Sequence, residues 1–202
     1  MSAGRDWRWW WIALFLGALI IAASFFLDAT VHGWAVEHQT RGLRKFMQSV
    51  SFWGDWFSHA IVGIAGAAVA YALGRRDWLR IFLAMILACA LAGAAVRVIK
   101  IAAGRSRPSV TTNVGWKGPT LSAKYHAFPS GHTASSVAFF VVPYFARRRM
   151  ALLLLPIPAL IGVARILVDA HHFSDVVAGA LLGVLCAFVT WRFITVKYPQ
   201  AT

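Results

Sequence analysis

The 202-residue sequence predicts an all-α, polytopic membrane protein with six transmembrane helices, and three observations carry that expectation. Hydrophobic residues make up 59% of the chain and charged residues only 13%, about half of what a soluble domain carries. Six stretches free of Asp, Glu, Lys and Arg approach the roughly 20 apolar residues that a helix needs to cross hydrocarbon. No period-two alternation runs long enough for a barrel strand. The same composition excludes intrinsic disorder, because 14% of residues are aromatic. A disulfide scaffold is excluded too, since the two cysteines, Cys89 and Cys186, each sit inside a long apolar run.

The spans follow in order. The first runs from Trp9 to Leu27 behind Arg5 and Arg8, and its uncharged run is longer than the roughly 7–15 residues of a signal-peptide core. It reads as a retained helix anchored at the interface by Trp7, Trp9, Trp10 and Trp11. The second covers Trp56 to Gly74, and the third starts near Leu79 and reaches Val96 before meeting Arg97 and Lys100. The fourth follows Gly131 to Ala146, where Pro143 should bend or end it, and the fifth runs from Met150 to about Val168, kinked at Pro156 and Pro158. The sixth covers Val176 to Trp191. Glycines in the second, third and sixth spans, among them Gly63, Gly66, Gly93, Gly179 and Gly183, suit close helix contact in lipid. A single membrane domain over residues 1–202 is expected, with a core at about 79–196 and an outer amphipathic segment at 28–55 lying along the interface.

Net charge is +13, and the basic residues split evenly between the two faces of this layout. Density breaks the tie. Basic residues crowd the short connection Arg147-Arg148-Arg149, and short loops dominate topology, so the N-terminus is expected inside. The outer segments are then Asp28 to Asp55, Gly104 to Ser130, and the turn Asp169 to Asp175.

Parity alone puts the third span's end, the fourth's start, the fifth's end and the sixth's start on one face. That face collects Lys100, Arg107, Ser130, His132, Arg165, His171 and Asp175, together with Arg105, His126, Asp169 and His172. Ionisable groups at the ends of bundle helices are costly, and by default they mark a functional site. Cations, imidazoles and carboxylates at one mouth fit an anion handled by acid–base or nucleophilic chemistry. Ser130-Gly131 opens an apolar helix whose free N–H groups would hold an anion, with Ser130 placed as its cap. His171 and Asp175 are four apart and share a helix face, so the carboxylate can fix one ring nitrogen and leave the other to attack.

These residues resemble the signatures of the type 2 phosphatidic acid phosphatase superfamily. Lys100 with Arg107-Pro108 matches the first, Pro129-Ser130-Gly131-His132 the second, and Arg165 with His171 and Asp175 the third, in the expected order. Ala164 stands where the family usually has Ser, which removes one hydroxyl contact. The resemblance implies that His171 is the nucleophile, Asp175 its orienting group and His132 the general acid and then base. It further implies that Lys100, Arg107, Arg165 and the backbone N–H groups of Ser130 and Gly131 bind phosphate oxygens. The implied substrate is a lipid phosphate or diphosphate, such as undecaprenyl diphosphate, phosphatidate, phosphatidylglycerol phosphate or a lipid A phosphate. The expected setting is a bacterial inner membrane, and the N-terminus-inside layout puts the site on the non-cytoplasmic side.

His171, His172 and Asp175 are also ligand-type residues, but three nearby cations would repel a divalent ion, so no metal and no cofactor are expected. A transporter or channel for an anion or lipid phosphate is the competing class. It predicts broken helices in a repeated half, and the second signature is not repeated in the first half of the chain. His126, His172, Asp169 and Arg105 fall outside the signatures and are expected to be solvated loop groups. Arg97 is expected at a headgroup or paired with Asp28 or Asp55. No pattern singles out His32, His38 or His59. No nucleic-acid partner is expected.

Overall fold

The computed structural model describes residues 6–110, 114–146 and 151–197, with side chains described at 8–110, 114–146 and 151–195. Arg5, the Trp7 side chain, Arg147-Arg148-Arg149 and Met150 lie outside the described residues. Eight α-helices cover most of what is described: α1 (Asp6–Phe26), α2 (Asp28–His38), α3 (Arg41–Trp53), α4 (Trp56–Ala72), α5 (Arg76–Ala103), α6 (Gly131–Ala146), α7 (Pro156–Leu167) and α8 (Phe173–Lys197). Single 3-10 turns occur at Ala123–Tyr125 and Leu152–Leu154. Apart from one isolated bridge between Arg105 and Trp116, no β-pairing occurs among the described residues.

Three helices, Arg8–Phe26, Arg76–Ala103 and Phe173–Thr195, are long and apolar enough to cross a membrane, and Trp56–Ala72 and Leu152–Leu167 are shorter apolar stretches. The chain is an integral membrane protein. Large side chains such as Trp9, Phe15, Ile61 and Val69 stand exposed on α1 and α4, an arrangement that suits lipid and not water. With 28 residues, α5 rises about 42 Å, so it outreaches a hydrocarbon core of about 30 Å and includes Arg97 and Lys100, where the sequence led us to expect a stop. Pro143 does not end α6, which continues to Ala146. In the fifth expected span Pro156 opens α7 in its first turn, behind the 3-10 turn at Leu152–Leu154, where its missing N–H leaves no hydrogen bond unmade.

The core forms where α5, α6 and α8 meet. Ala84, Ala88 and Ala92 repeat every four residues on α5 with no exposure, facing Ala134, Ala138, Phe139 and Val142 of α6 and Cys186 and Ala187 of α8. Small side chains bring these backbones close. A Cβ on Gly179 would stand 2.6 Å from the Ser130 carbonyl oxygen, and one on Gly183 would stand 2.6 Å from that of Ala134. Residue numbers rise together along this seam, so α6 and α8 run parallel and start at the same end. Against α5 the order reverses, since Gly131 lies beside Val96 and Lys100 while Gly93 lies beside Ser135. Parity had placed these ends together, and the fold brings them there.

The segment 28–55 forms α2 and α3. Ala35 of α2 and Met47 of α3 bury against Ala164 and Leu167 of α7, so the segment is tied to the bundle, while Phe46, Phe52 and Trp53 stay exposed.

Candidate active site

Each element delivers its side chain for a local reason. Gly104 ends α5 in the left-handed region at φ 60, and a Cβ there would fall 1.9 Å from the Gly118 carbonyl oxygen, so only glycine permits the fold-back. The following loop is knitted by its backbone: Ser106 N–H donates to Gly115, Lys117 to Gly104, Arg107 to Lys124, and Ala127 to Arg105. That knitting carries Arg107 back over the end of α5. Lys100 Nζ donates to the His126 carbonyl at 2.5 Å, which fixes its stem beside Gly131.

Ser130 sits at the start of α6, and its carbonyl accepts the Ala134 N–H at 3.0 Å, as a cap position requires. Its hydroxyl accepts from Thr133 Oγ1 at 2.9 Å. Its own N–H is donated to the Asp175 carbonyl at 2.8 Å. The expectation that this N–H binds phosphate therefore meets a donor already engaged, because the α6–α8 seam places the two backbones in contact; the Gly131 N–H is the helix-end donor that expectation retains. The His132 ring, on the next residue, packs 3.4 Å from where a Gly54 Cβ would stand.

The turn from α7 into α8 is set by Arg165, whose carbonyl accepts the N–H groups of Ala170 and His171 at 3.1 and 3.2 Å. His171 is buried, with Nδ1 3.5 Å from Asp175 Oδ2 and Nε2 on the opposite edge of the ring. Asp175 has no exposed surface. Its Oδ2 also accepts the His172 N–H at 2.8 Å, and Oδ1 accepts from Arg105 at 2.5 Å. Burial, the largest influence, drives the His171 imidazole down to about 3 from the usual range, against the opposing pull of Asp175.

Lys100, Arg107 and Arg165 feel one another's charge, and Lys100 and Arg165 both act on His171 and on His132. Lys100 and Arg165 thus lie near both histidines, and Arg107 lies near those two cations. Arg165 donates to Ser51 Oγ of α3 at 2.6 Å. The Nε atoms of Arg107 and Arg165 are buried without a hydrogen-bond partner among the described residues. Buried donors left in this way call for an acceptor, and two guanidinium edges beside a lysine suit an anion.

Several groups read as solvated are not. Arg105 is 7% exposed and joins Asp175, Ser174 and Asp28. His126 is buried, with Nε2 2.9 Å from the Thr120 carbonyl. His172 is half-buried against the Ser106 carbonyl, and Asp169 lies 3.5 Å from His32 Nδ1. Burial lowers the His172 imidazole as well. Asp28 pairs with Arg105, while Arg97 points outward. His59 is buried on α4, its Nδ1 2.7 Å from the Asp55 carbonyl and its ring against Phe139. Sequence reasoning missed Ser51 and Ser174, placed Arg105 on the right face but in solvent, and offered Asp28 only as a partner for Arg97; a carboxylate directly after the first apolar run was the available signal for Asp28.

The chain is 35% identical over 96 residues to a lipid A 1-phosphatase of Rhizobium etli, covering 45% of this chain and 40% of the relative. It is 25% identical over 200 residues to phosphatidylglycerophosphatase B of Bacillus subtilis, covering 90% and 93%. It spans about half the length of most of the curated relatives it matches. The crystal structure of a transmembrane PAP2-type phosphatidylglycerolphosphate phosphatase from Bacillus subtilis superposes with a TM-score of 0.71 at 23% identity, over 95% of this chain and 98% of that one, which establishes a shared fold. The family model of the PAP2 superfamily matches residues 78–199, from the start of α5 through α8 and every signature residue between, and the chain belongs to that superfamily.

Proposed function

We propose that the protein is a lipid phosphatase that hydrolyses a lipid phosphate or diphosphate through a phosphohistidine on His171, without a metal. One observation carries the reading: a buried His171–Asp175 pair lies beside Lys100 and Arg165, and Arg165 and the neighbouring Arg107 hold buried Nε donors without a partner among the described residues. His171 Nε2 attacks phosphorus as the bond to the lipid oxygen breaks, and His132 supplies the proton that oxygen takes up. His132 then takes a proton from water, the water oxygen bonds to phosphorus, and the bond to Nε2 breaks. Lys100, Arg107, Arg165 and the Gly131 N–H neutralise the non-bridging oxygens, and positioning with charge neutralisation is most of what phosphoryl transfer needs.

The names of the relatives support a lipid substrate. So does the site's place at the ends of apolar helices, which on this reading lie near headgroup depth, within reach of a laterally diffusing lipid. Six spans and a non-cytoplasmic site in a bacterial inner membrane belong to the same proposal; labelling of a cysteine at Ser122 by an impermeant reagent on intact cells checks the sidedness.

The test is phosphate release by detergent-solubilised protein, in excess chelator, from phosphatidate, phosphatidylglycerol phosphate, undecaprenyl diphosphate and lipid A. Wild type should release phosphate from at least one, and His171→Ala should lower that rate by about a thousandfold or more. Release that survives His171→Ala would overturn the mechanism.

A further inference from the structure

The charge network behind Asp175 includes two residues outside the signatures. Arg105 lies over the adjacent rings of Phe25 and Trp116, 4.9 and 5.1 Å from their centroids. One terminal nitrogen donates to Asp175 Oδ1 at 2.5 Å and to Ser174 Oγ at 2.7 Å. The other donates to Asp28 Oδ2 at 2.7 Å. Asp28 also accepts the Ser174 N–H at 2.8 Å and the Ser174 hydroxyl at 2.7 Å. One cation therefore stands between two carboxylates.

The count matters to the chemistry. An arginine alone on Asp175 would hold it in place but cancel its charge, and the carboxylate would then do little for an imidazolium. Asp28 offsets the guanidinium, so the network keeps one net negative charge. We propose that Arg105 and Asp28 are a positioning pair: Arg105 locks one Asp175 oxygen, and Asp28 offsets Arg105, so that Asp175 presents undiminished charge to the phosphorylated His171 ring. The inference rests on the phosphohistidine reading given above. Neither residue touches substrate; both act through Asp175.

Charge balance makes a prediction that ordinary packing does not. Asp28→Asn leaves Arg105 uncompensated, and Arg105→Gln leaves two carboxylates facing each other. The double variant returns to one net negative charge. In detergent micelles with chelator, on the lipid phosphates named above, each single variant should lose about tenfold or more in kcat with KM within about threefold, and the double should recover most of that loss. Singles whose kcat stays within about twofold of wild type, or a double whose loss equals the product of the two, overturn the proposal. If Arg105→Gln fails to fold, Asp28→Asn decides: a kcat loss at unchanged KM and unchanged thermal midpoint supports the pair, and an unchanged kcat sinks it. His171→Ala runs alongside. Activity retained there brings down the phosphohistidine reading itself, whatever the pair does.

Discussion

The site has two flanks, and they are built in opposite ways. Behind His171, the donors of Arg105, Ser174 and His172 all meet carboxylate oxygens of Asp28 or Asp175, deep in the protein. On the other flank, Arg107 and Arg165 are held near one another against their mutual repulsion, with buried Nε atoms that have no partner among the described residues. Satisfied polar groups hold a geometry, whereas unsatisfied ones store a demand. The difference separates what fixes the site from what, on the proposed reading, receives the phosphate.

The comparison breaks most directly at Arg107. Arg107→Ala should lower phosphate release by about a hundredfold or more while leaving the thermal midpoint in detergent nearly unchanged, if the side chain serves the transition state as proposed and not the fold. A drop in midpoint with activity retained would place Arg107 on the structural flank. Acid sharpens the contrast from the other side. Folding keeps His171 and His172 neutral, with His171 lowered to about 3 and His172 lowered in the same direction. Below about pH 6.5 the unfolded chain binds protons that the folded chain refuses, so stability is fully present above that pH and is lost progressively toward pH 3. The midpoint should fall between pH 7 and pH 5, and His171→Gln should flatten that slope; a slope unchanged by the substitution would count against a neutral buried ring. The smallest effect is expected at Ala164, which is fully buried against α2 and α3. Ala164→Ser, restoring the family's usual residue, should change release by less than about threefold and cost about 1 kcal/mol or less of stability if the hydroxyl finds a partner.

Much of the chemical flank was legible in the sequence, because residue spacing and span parity are properties of the chain alone. Lys100, Arg107, His132, Arg165, His171 and Asp175 were placed on one face by counting helix ends, and they meet there. The holding flank was not legible. Arg105 finds Asp28 across 77 residues and Asp175 across 70, through a loop that folds back at Gly104, and no periodicity announces such a pairing. His126 was misread for the same reason: the loop brings its ring to the Thr120 carbonyl and its own carbonyl to the Lys100 ammonium of α5. Among the spans, continuous apolar runs marked α1, α5 and α8, which are long and apolar enough to cross a membrane, whereas the fifth is a shorter apolar helix over Leu152–Leu167 with Pro156 in the first turn of α7.

The seam at Gly179 and Gly183 has a mechanical meaning. Main chain rests on main chain there, so the loop that precedes His132 and the helix that holds Asp175 move as one body, and side-chain rotation offers them no slack. A methyl group inserted at Gly179 would act as a shim between Ser130 and α8, forcing apart the segments that carry the proposed proton donor and the proposed nucleophile, while every charged residue kept its identity.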